Sequence, residues 1–238
     1  MYKNKSVSIV LPVYNEVDNI KFAIEEFFLQ PEVDEVIVVD NNSSDGSMEE
    51  IVKTRAKYFL ETTQGYGAAM RRGMSEATGQ VIITAEPDGT FSASDIEKFL
   101  VYADEFDVVF GTRTSRSLIW SKANMDTSLR LGNAGVAKLL EYMFNGPSLT
   151  DVGCTYKLIH RSAYEQIKAH FTVNGNWFSP EFMIRALQSN FRCVEVPVNY
   201  RARIGQSKIT GRKWPAIKLG LRMIFFIISE KLKMSVRN

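Results

Sequence analysis

Two carboxylates one residue apart, Glu86 and Asp88, follow the apolar run Val81–Thr84. At the end of a buried strand such a pair can hold a hard divalent cation whose shell is completed by substrate phosphates. Taken alone, Pro87-Asp88-Gly89 reads equally well as a solvated turn. Asp40 closes a second apolar run, Val36–Val39, and precedes Asn41-Asn42-Ser43-Ser44-Asp45-Gly46. A carboxylate there can accept from a base or a ribose, while Ser43, Ser44 and Asp45 suit a helix start. Gly65-Tyr66-Gly67 is neither a dinucleotide fingerprint nor part of a G-x-x-x-x-G-K-[ST] loop. Its glycines permit close backbone approach. With only His160 and His170 present, a histidine zinc site is not expected.

The elements that must carry these residues alternate in period. Val7–Leu11 is continuously apolar, as a strand buried on both faces requires. Val17, Ile20, Ile24 and Phe27 then recur at helical spacing, with Asn15 as the expected N-cap. The pattern repeats with a strand over 36–39, a helix from 44, a short strand near 58–60 and a helix to about 77. A strand over 81–84, a helix over 95–102 and a strand over 107–110 follow. Strand–helix alternation predicts an α/β fold with a mostly parallel sheet and helices on both faces. Ligands in such sheets bind beyond the carboxyl ends of the strands. Four polar clusters fall at those ends: 14–16, 40–42, 86–88 and 111–113. Further on, helices are expected over 129–144 and 180–188 and strands over 155–159 and 191–196. A last helix is expected from about Trp214 to Lys233.

The chain has 238 residues, 45% hydrophobic and 24% charged, which excludes disordered and low-complexity classes. Its net charge of +2 conceals a segregation. Residues 201–238 carry ten Lys or Arg against the single acid Glu230, so the body is acidic and the tail basic. A basic tail suits an anionic partner. Cys154 and Cys193 read as reduced thiols, and no secretory leader precedes the first strand, so the expected place is the cytoplasm.

In combination these segments become specific. Residues 7–16 (VSIVLPVYNE), 38–47 (VVDNNSSDGS), 64–69 (QGYGAA) and the acid-x-Asp88-Gly89 element resemble family 2 glycosyltransferases of the GT-A, Rossmann-like fold. The resemblance is strongest to the branch that makes dolichol- or polyprenyl-phosphate mannose or glucose. Further matches are Gly111-Thr112-Arg113, Arg130 with Gly132-Asn133, Asp151-Val152-Gly153-Cys154, Glu181, and Arg203-x-Gly205-x-Ser207-Lys208. They span residues 7–208.

The resemblance implies a metal-dependent, inverting sugar transfer from a nucleotide-sugar (GDP-, UDP- or dTDP-linked) to a polyprenyl phosphate, in cell-envelope polysaccharide synthesis. Pro12, Tyr14, Glu16, Asp40 and Gly67 would then line the nucleotide pocket. Asp88, assisted by Glu86, would bind Mg²⁺ or Mn²⁺ on the diphosphate. Arg113 and Arg130 would contact the acceptor phosphate, and Arg203, Ser207 and Lys208 would close over the donor. Glu86 stands where Asp is usual, and Arg203-Ile204-Gly205 is one residue shorter than in many members. A phosphate acceptor is already anionic and needs cations to hold it. A glycan hydroxyl would need a general base, for which Asp151 and Glu181 are the candidates. A third reading keeps nucleotide-sugar binding without catalysis.

The expected division is a catalytic domain over 1–213 and a basic amphipathic helix over 214–238. Ile217, Leu221, Ile224, Phe225, Ile228 and Leu232 share one face of that helix, and Lys218, Arg222, Ser229 and Lys233 the other. The longest uncharged run around Phe225 has seven residues, Met223–Ser229, far short of the ~20 that span a bilayer. The helix suits an inner membrane surface, its own domain or a homo-oligomer contact. Nucleic acid is not an expected partner.

Overall fold

The protein is described here from a computed structural model, which covers residues 1–204 and 213–237. One seven-stranded sheet runs through it. The strands are β1 (Val7–Val13), β2 (Glu35–Asp40), β3 (Lys57–Leu60), β4 (Val81–Thr84), β5 (Val108–Thr112), β6 (Lys157–His160) and β7 (Cys193–Pro197), in the order β3-β2-β1-β4-β6-β5-β7. Pairing is parallel except where β6 inserts antiparallel between β4 and β5. The helices are α1 (Ile20–Phe28), α2 (Ser47–Ile51), α3 (Tyr66–Glu76), α4 (Ile96–Tyr102), α5 (Thr127–Phe144), α6 (Arg161–Ile167), α7 (Phe178–Gln188) and α8 (Lys213–Arg237).

Alternate strand residues feed two cores. Val10, Ile37, Val39, Ile82, Val108 and Phe110 face the layer of α3, α5, α7 and α8. Ile9, Leu11, Val36, Val38, Ile83 and Val109 face the layer of α1 and α4. Both faces are covered, which is why every residue of β1 and β2 is buried. Close layering depends on Gly73: a Cβ there would lie 2.4 Å from Val10 Cγ1.

Several sequence expectations shift. Asn15 does not cap α1, which starts at Ile20; Asn15 adopts φ 57° and its side chain accepts from Ser44 N at 2.8 Å. Short helix α6 is an addition. The tail helix docks against α5 and α7 through Met223, Ile227 and Glu230, all buried. Among the described residues no helix is long and apolar enough to cross a membrane.

Candidate active site

The strand order reverses direction at β1 and β4, which opens a crevice at their carboxyl ends. Pro12 marks the place. The β1–β4 register ends at Val10, so the N–H that proline lacks falls where the two strands have parted. Beyond it, loop 14–19 is zipped to loop 40–47. Asn15 N donates to Ser43 Oγ (2.9 Å), Glu16 N to Ser47 Oγ (2.9 Å) and Val17 N to Asp45 Oδ2 (3.0 Å). Asp40 is buried at the end of β2, its carboxylate accepting from Ser43 N. Tyr14 is exposed at the rim. Asn41, which sequence reasoning did not single out, latches the next loop: its amide donates to Glu61 O and Thr63 O and its oxygen accepts from Gly65 N. The Asp-Asn-Asn run was the available signal.

The β4 end supplies the acid pair. Asp88 is 2% exposed. Its Oδ1 accepts from Thr90 N (3.0 Å) and Thr90 Oγ1 (2.5 Å), which leaves Oδ2 directed at Arg203 Nη1, 3.0 Å away. The other arm of Arg203 donates to Glu16 Oε1. Residues 201–204 therefore lie across the turn, with Arg201 N donating to Thr90 O and Ile204 N to Asp88 O. Burial and the neighbouring Asp88 push the Glu86 carboxyl up to about 7, while Arg113, Thr155 and Arg203 pull it back. The remaining closing residues, Ser207 and Lys208, lie outside the described residues.

Within electrostatic reach of Glu86 sits a fixed cation, Arg113. Asp151 grips Arg113 at two points, Nε to Oδ2 (2.8 Å) and Nη2 to Oδ1 (2.9 Å), and accepts from Arg113 N as well. Burial raises the Asp151 carboxyl, but the Arg113 charge and its hydrogen bonds outweigh that and hold it below the usual range. Tyr200 lies 5.2 Å beneath the guanidinium. A Cβ on Gly153 would meet Asn133 Oδ1 at 2.8 Å and Arg113 Nη2 at 3.0 Å, so α5 reaches this cluster through Asn133. Arg130, one turn earlier on α5, makes no side-chain hydrogen bond or ion pair with the described residues. The 151–154 loop rests on a buried Lys157, whose ammonium donates to Cys154 O and to Ser179 Oγ, and Ser179 in turn donates to Val152 O at 2.7 Å. A charge inside the apolar run Tyr156–Ile159 was its unread signal.

Three expected site residues are placed differently. Glu181 is fully buried on α7, accepting from Thr172 N, Thr172 Oγ1 and Val173 N and pairing with Arg185. It braces a loop and does not face the acid pair. Asp151 is committed to Arg113 and so is engaged as that residue's partner. Gly67 faces protein: a Cβ there would lie 2.3 Å from Val173 O, and Gly67 N donates to Asn174 O.

Among the described residues no cluster of three or more potential ligands preforms a metal cage. The chemistry of the donor set still fits Mg²⁺ or Mn²⁺, which keep several waters and take one or two carboxylates plus phosphate oxygens. One Asp88 oxygen already faces a cationic group, and beside it the buried Asn19 Oδ1 and Arg203 Nε have no hydrogen-bond partner.

With the sheet, the strand-end acid pair and the clamped arginine in place, comparison with known proteins gives the family. The family model for Glycosyl transferase family 2 matches residues 8–168, and the chain belongs to that family. It is 25% identical over 234 residues to the dolichyl-phosphate hexose transferase of Haloferax volcanii, covering 98% of this chain and 99% of that one. It is 29% identical over 218 residues to the undecaprenyl-phosphate 4-deoxy-4-formamido-L-arabinose transferase of Salmonella paratyphi B, covering 86% of this chain and 62% of that one. In fold it resembles glucosyl-3-phosphoglycerate synthase from Mycobacterium tuberculosis, solved with Mn²⁺, UDP and glucosyl-3-phosphoglycerate, at TM-score 0.73 and 14% identity over 96% of this chain and 80% of that one.

Proposed function

We propose that this glycosyltransferase moves a hexose from a nucleotide-sugar to a polyprenyl phosphate by a single inverting displacement at a membrane surface. The observation that carries the reading is a guanidinium, Arg113, held rigid by Asp151 within electrostatic reach of Glu86 in the strand-end acid pair. Both carboxylates offered as bases for a hydroxyl acceptor, Asp151 and Glu181, are engaged in hydrogen bonds and ion pairs, which favours an acceptor that is already anionic. The two curated relatives act on polyprenyl-type phosphates and support the same choice.

Asp88, with Glu86 beside it, would hold Mg²⁺ or Mn²⁺. When bound, the cation neutralises charge that develops on the departing nucleoside diphosphate. Pro12, Tyr14, Glu16 and Asp40 line the crevice for the nucleotide. Arg113 and Arg130 bind and orient the acceptor phosphate, and Arg203 offers a further cation to the diphosphate. The functional division follows residues 1–213 for transfer and 214–238 for attachment. The tail helix leaves Trp214, Ile217, Leu221, Phe225, Ile228 and Leu232 exposed in one stripe, flanked by Lys218 and Arg222, which suits anionic lipid on the inner leaflet.

Purified protein should transfer sugar to a polyprenyl phosphate only with Mg²⁺ or Mn²⁺, and EDTA should stop it. Asp88→Asn should abolish transfer. Arg113→Ala and Arg130→Ala should raise the KM for lipid phosphate by about tenfold or more, the loss of a charge-assisted contact, with the donor KM little changed. Full transfer by Asp88→Asn, or acceptor kinetics indifferent to both arginines, would sink the proposal.

A further inference from the structure

The side chain that faces Oδ2 of Asp88 is itself a cation. Arg203 bridges Asp88 and Glu16, two acids brought together from the ends of β4 and β1. Its position is set from several sides. Ile204 N donates to Asp88 O at 3.0 Å, and Asn19 Nδ2 donates to Ile204 O at 2.9 Å. Gly89, at φ 77°, keeps the turn low enough for Ile204, which a Cβ there would meet at 3.1 Å. Arg201 anchors the same segment on Glu26 and Ser92.

From this geometry we infer that Arg203 is a built-in counter-ion: it fills the cation position in the nucleotide-free protein and makes divalent-metal binding conditional on a diphosphate. The inference rests on Asp88 being the metal ligand and adds an order of binding to it. A doubly charged ion entering beside Asp88 meets the guanidinium at hydrogen-bond range of the same carboxylate, so it binds poorly while Arg203 remains there. A diphosphate supplies a replacement partner for the planar fork of Arg203. The guanidinium then passes from carboxylate to phosphate, and Asp88 becomes available. Arg203 Nε, buried and without a hydrogen-bond partner in the closed pair, is a donor the pair leaves unused. Metal and diphosphate thereby favour each other's binding, and by linkage the coupling is the same in both directions.

The test is Mn²⁺ binding to the full chain, read as loss of the free-ion EPR signal, without nucleotide and with UDP, GDP or dTDP as probes. Arg203→Gln should bind Mn²⁺ alone at least about fivefold tighter than the parent, the lower end of ordinary coupling. The tightening that nucleotide confers should shrink by the same factor. Arg203→Lys keeps the charge but loses the two-armed bridge, and its nucleotide-free affinity should fall between the two. Circular dichroism checks each fold, and the lysine variant stands alone if the glutamine variant fails to fold. Nucleotide-free affinities equal to or weaker than the parent in the folded variants would overturn the inference. Asp88→Asn separates the two levels. If nucleotide-dependent Mn²⁺ binding survives that change, the metal assignment itself falls and the inference with it. If binding is lost there yet Arg203 makes no difference, only the inference falls.

Discussion

Arg113 owes its orientation to one acid. Asp151 is fully buried and Arg113 is 13% exposed on its side chain, so the pair is shielded from solvent. Removing one partner of such a pair leaves an uncompensated charge and typically costs about 3–5 kcal/mol. Asp151→Asn should therefore lower stability by about that amount in urea unfolding. It should also abolish transfer at temperatures where the variant remains folded. A variant as stable as the parent would mean that the pair is not what fixes the guanidinium. From the sequence, Asp151 stands out as a chemical residue, but its role inverts once burial is known. Periodicity does not reveal which acid faces a cleft and which an arginine 38 positions away. Glu181 is misplaced for the same reason, because its partners Thr172 and Val173 precede it in a loop with no pattern of its own. The strand end that carries Glu86 and Asp88 was legible because an apolar run ending in acids is a local signal.

The elements were more legible than the residues they carry. β1, β2 and β4 are read directly from apolar runs because both faces are covered. β6 was expected as a strand over 155–159, but its antiparallel sense was not legible, since orientation is decided by which strands pair and not by the composition of Lys157–His160. At the far end of the sheet from the crevice, Glu35 ties the strands together. Its Oε1 accepts from Ser8 Oγ, Thr78 N and Thr78 Oγ1, and Oε2 pairs with Lys57. Burial opposes ionisation there, yet the Lys57, Ser8 and Thr78 hydrogen bonds bring the carboxyl down to about 2 from an ordinary 4.5. Between those values the unfolded chain binds the extra proton, so this contribution is present above about pH 4.5 and is lost as pH falls toward 2. With solvent screening at Lys57 taken into account, it amounts to on the order of 2 kcal/mol. Glu35→Gln should be less stable than the parent at pH 6 by about that much, and the gap should narrow steadily toward pH 3. A gap independent of pH would show that the carboxylate charge is not what matters.

On the scale of the whole molecule, the net charge of +2 divides into an acidic body and a basic tail that meet. Arg201 pairs with Glu26 and Arg203 with Glu16 and Asp88. The rest of the tail helix has two faces. Met223, Ile227 and Glu230 dock inward, while Trp214 (81% exposed), Leu221 (63%), Phe225 (75%) and Leu232 (62%) face outward. The sequence showed one apolar face and left membrane, domain and homo-oligomer as its partners. Docking uses other residues than the exposed stripe, so contact with the domain and attachment to lipid are compatible. The double variant Leu221→Asp/Phe225→Asp should no longer sediment with vesicles containing anionic lipid, while its Tm stays within a few degrees of the parent. Undiminished sedimentation would argue against the stripe as the attachment face.

The tail is also wired into the domain. Glu230 on α8 pairs with Arg185, Arg185 with Glu181, and Glu181 holds the backbone of Thr172 and Val173. The next residue, Asn174, accepts from Gly67 and Ala68 at the start of α3. The tail thus behaves as a keystone of the domain, independently of what its outward stripe meets. Cutting the chain before residue 213 to obtain an easily handled fragment would strip the cover from Ala137, Leu140 and Phe144. It would also slacken the relay that holds the start of α3. A graft that replaces the tail with another helix would have to keep Met223, Ile227 and Glu230, whichever surface the outward stripe is redesigned to meet.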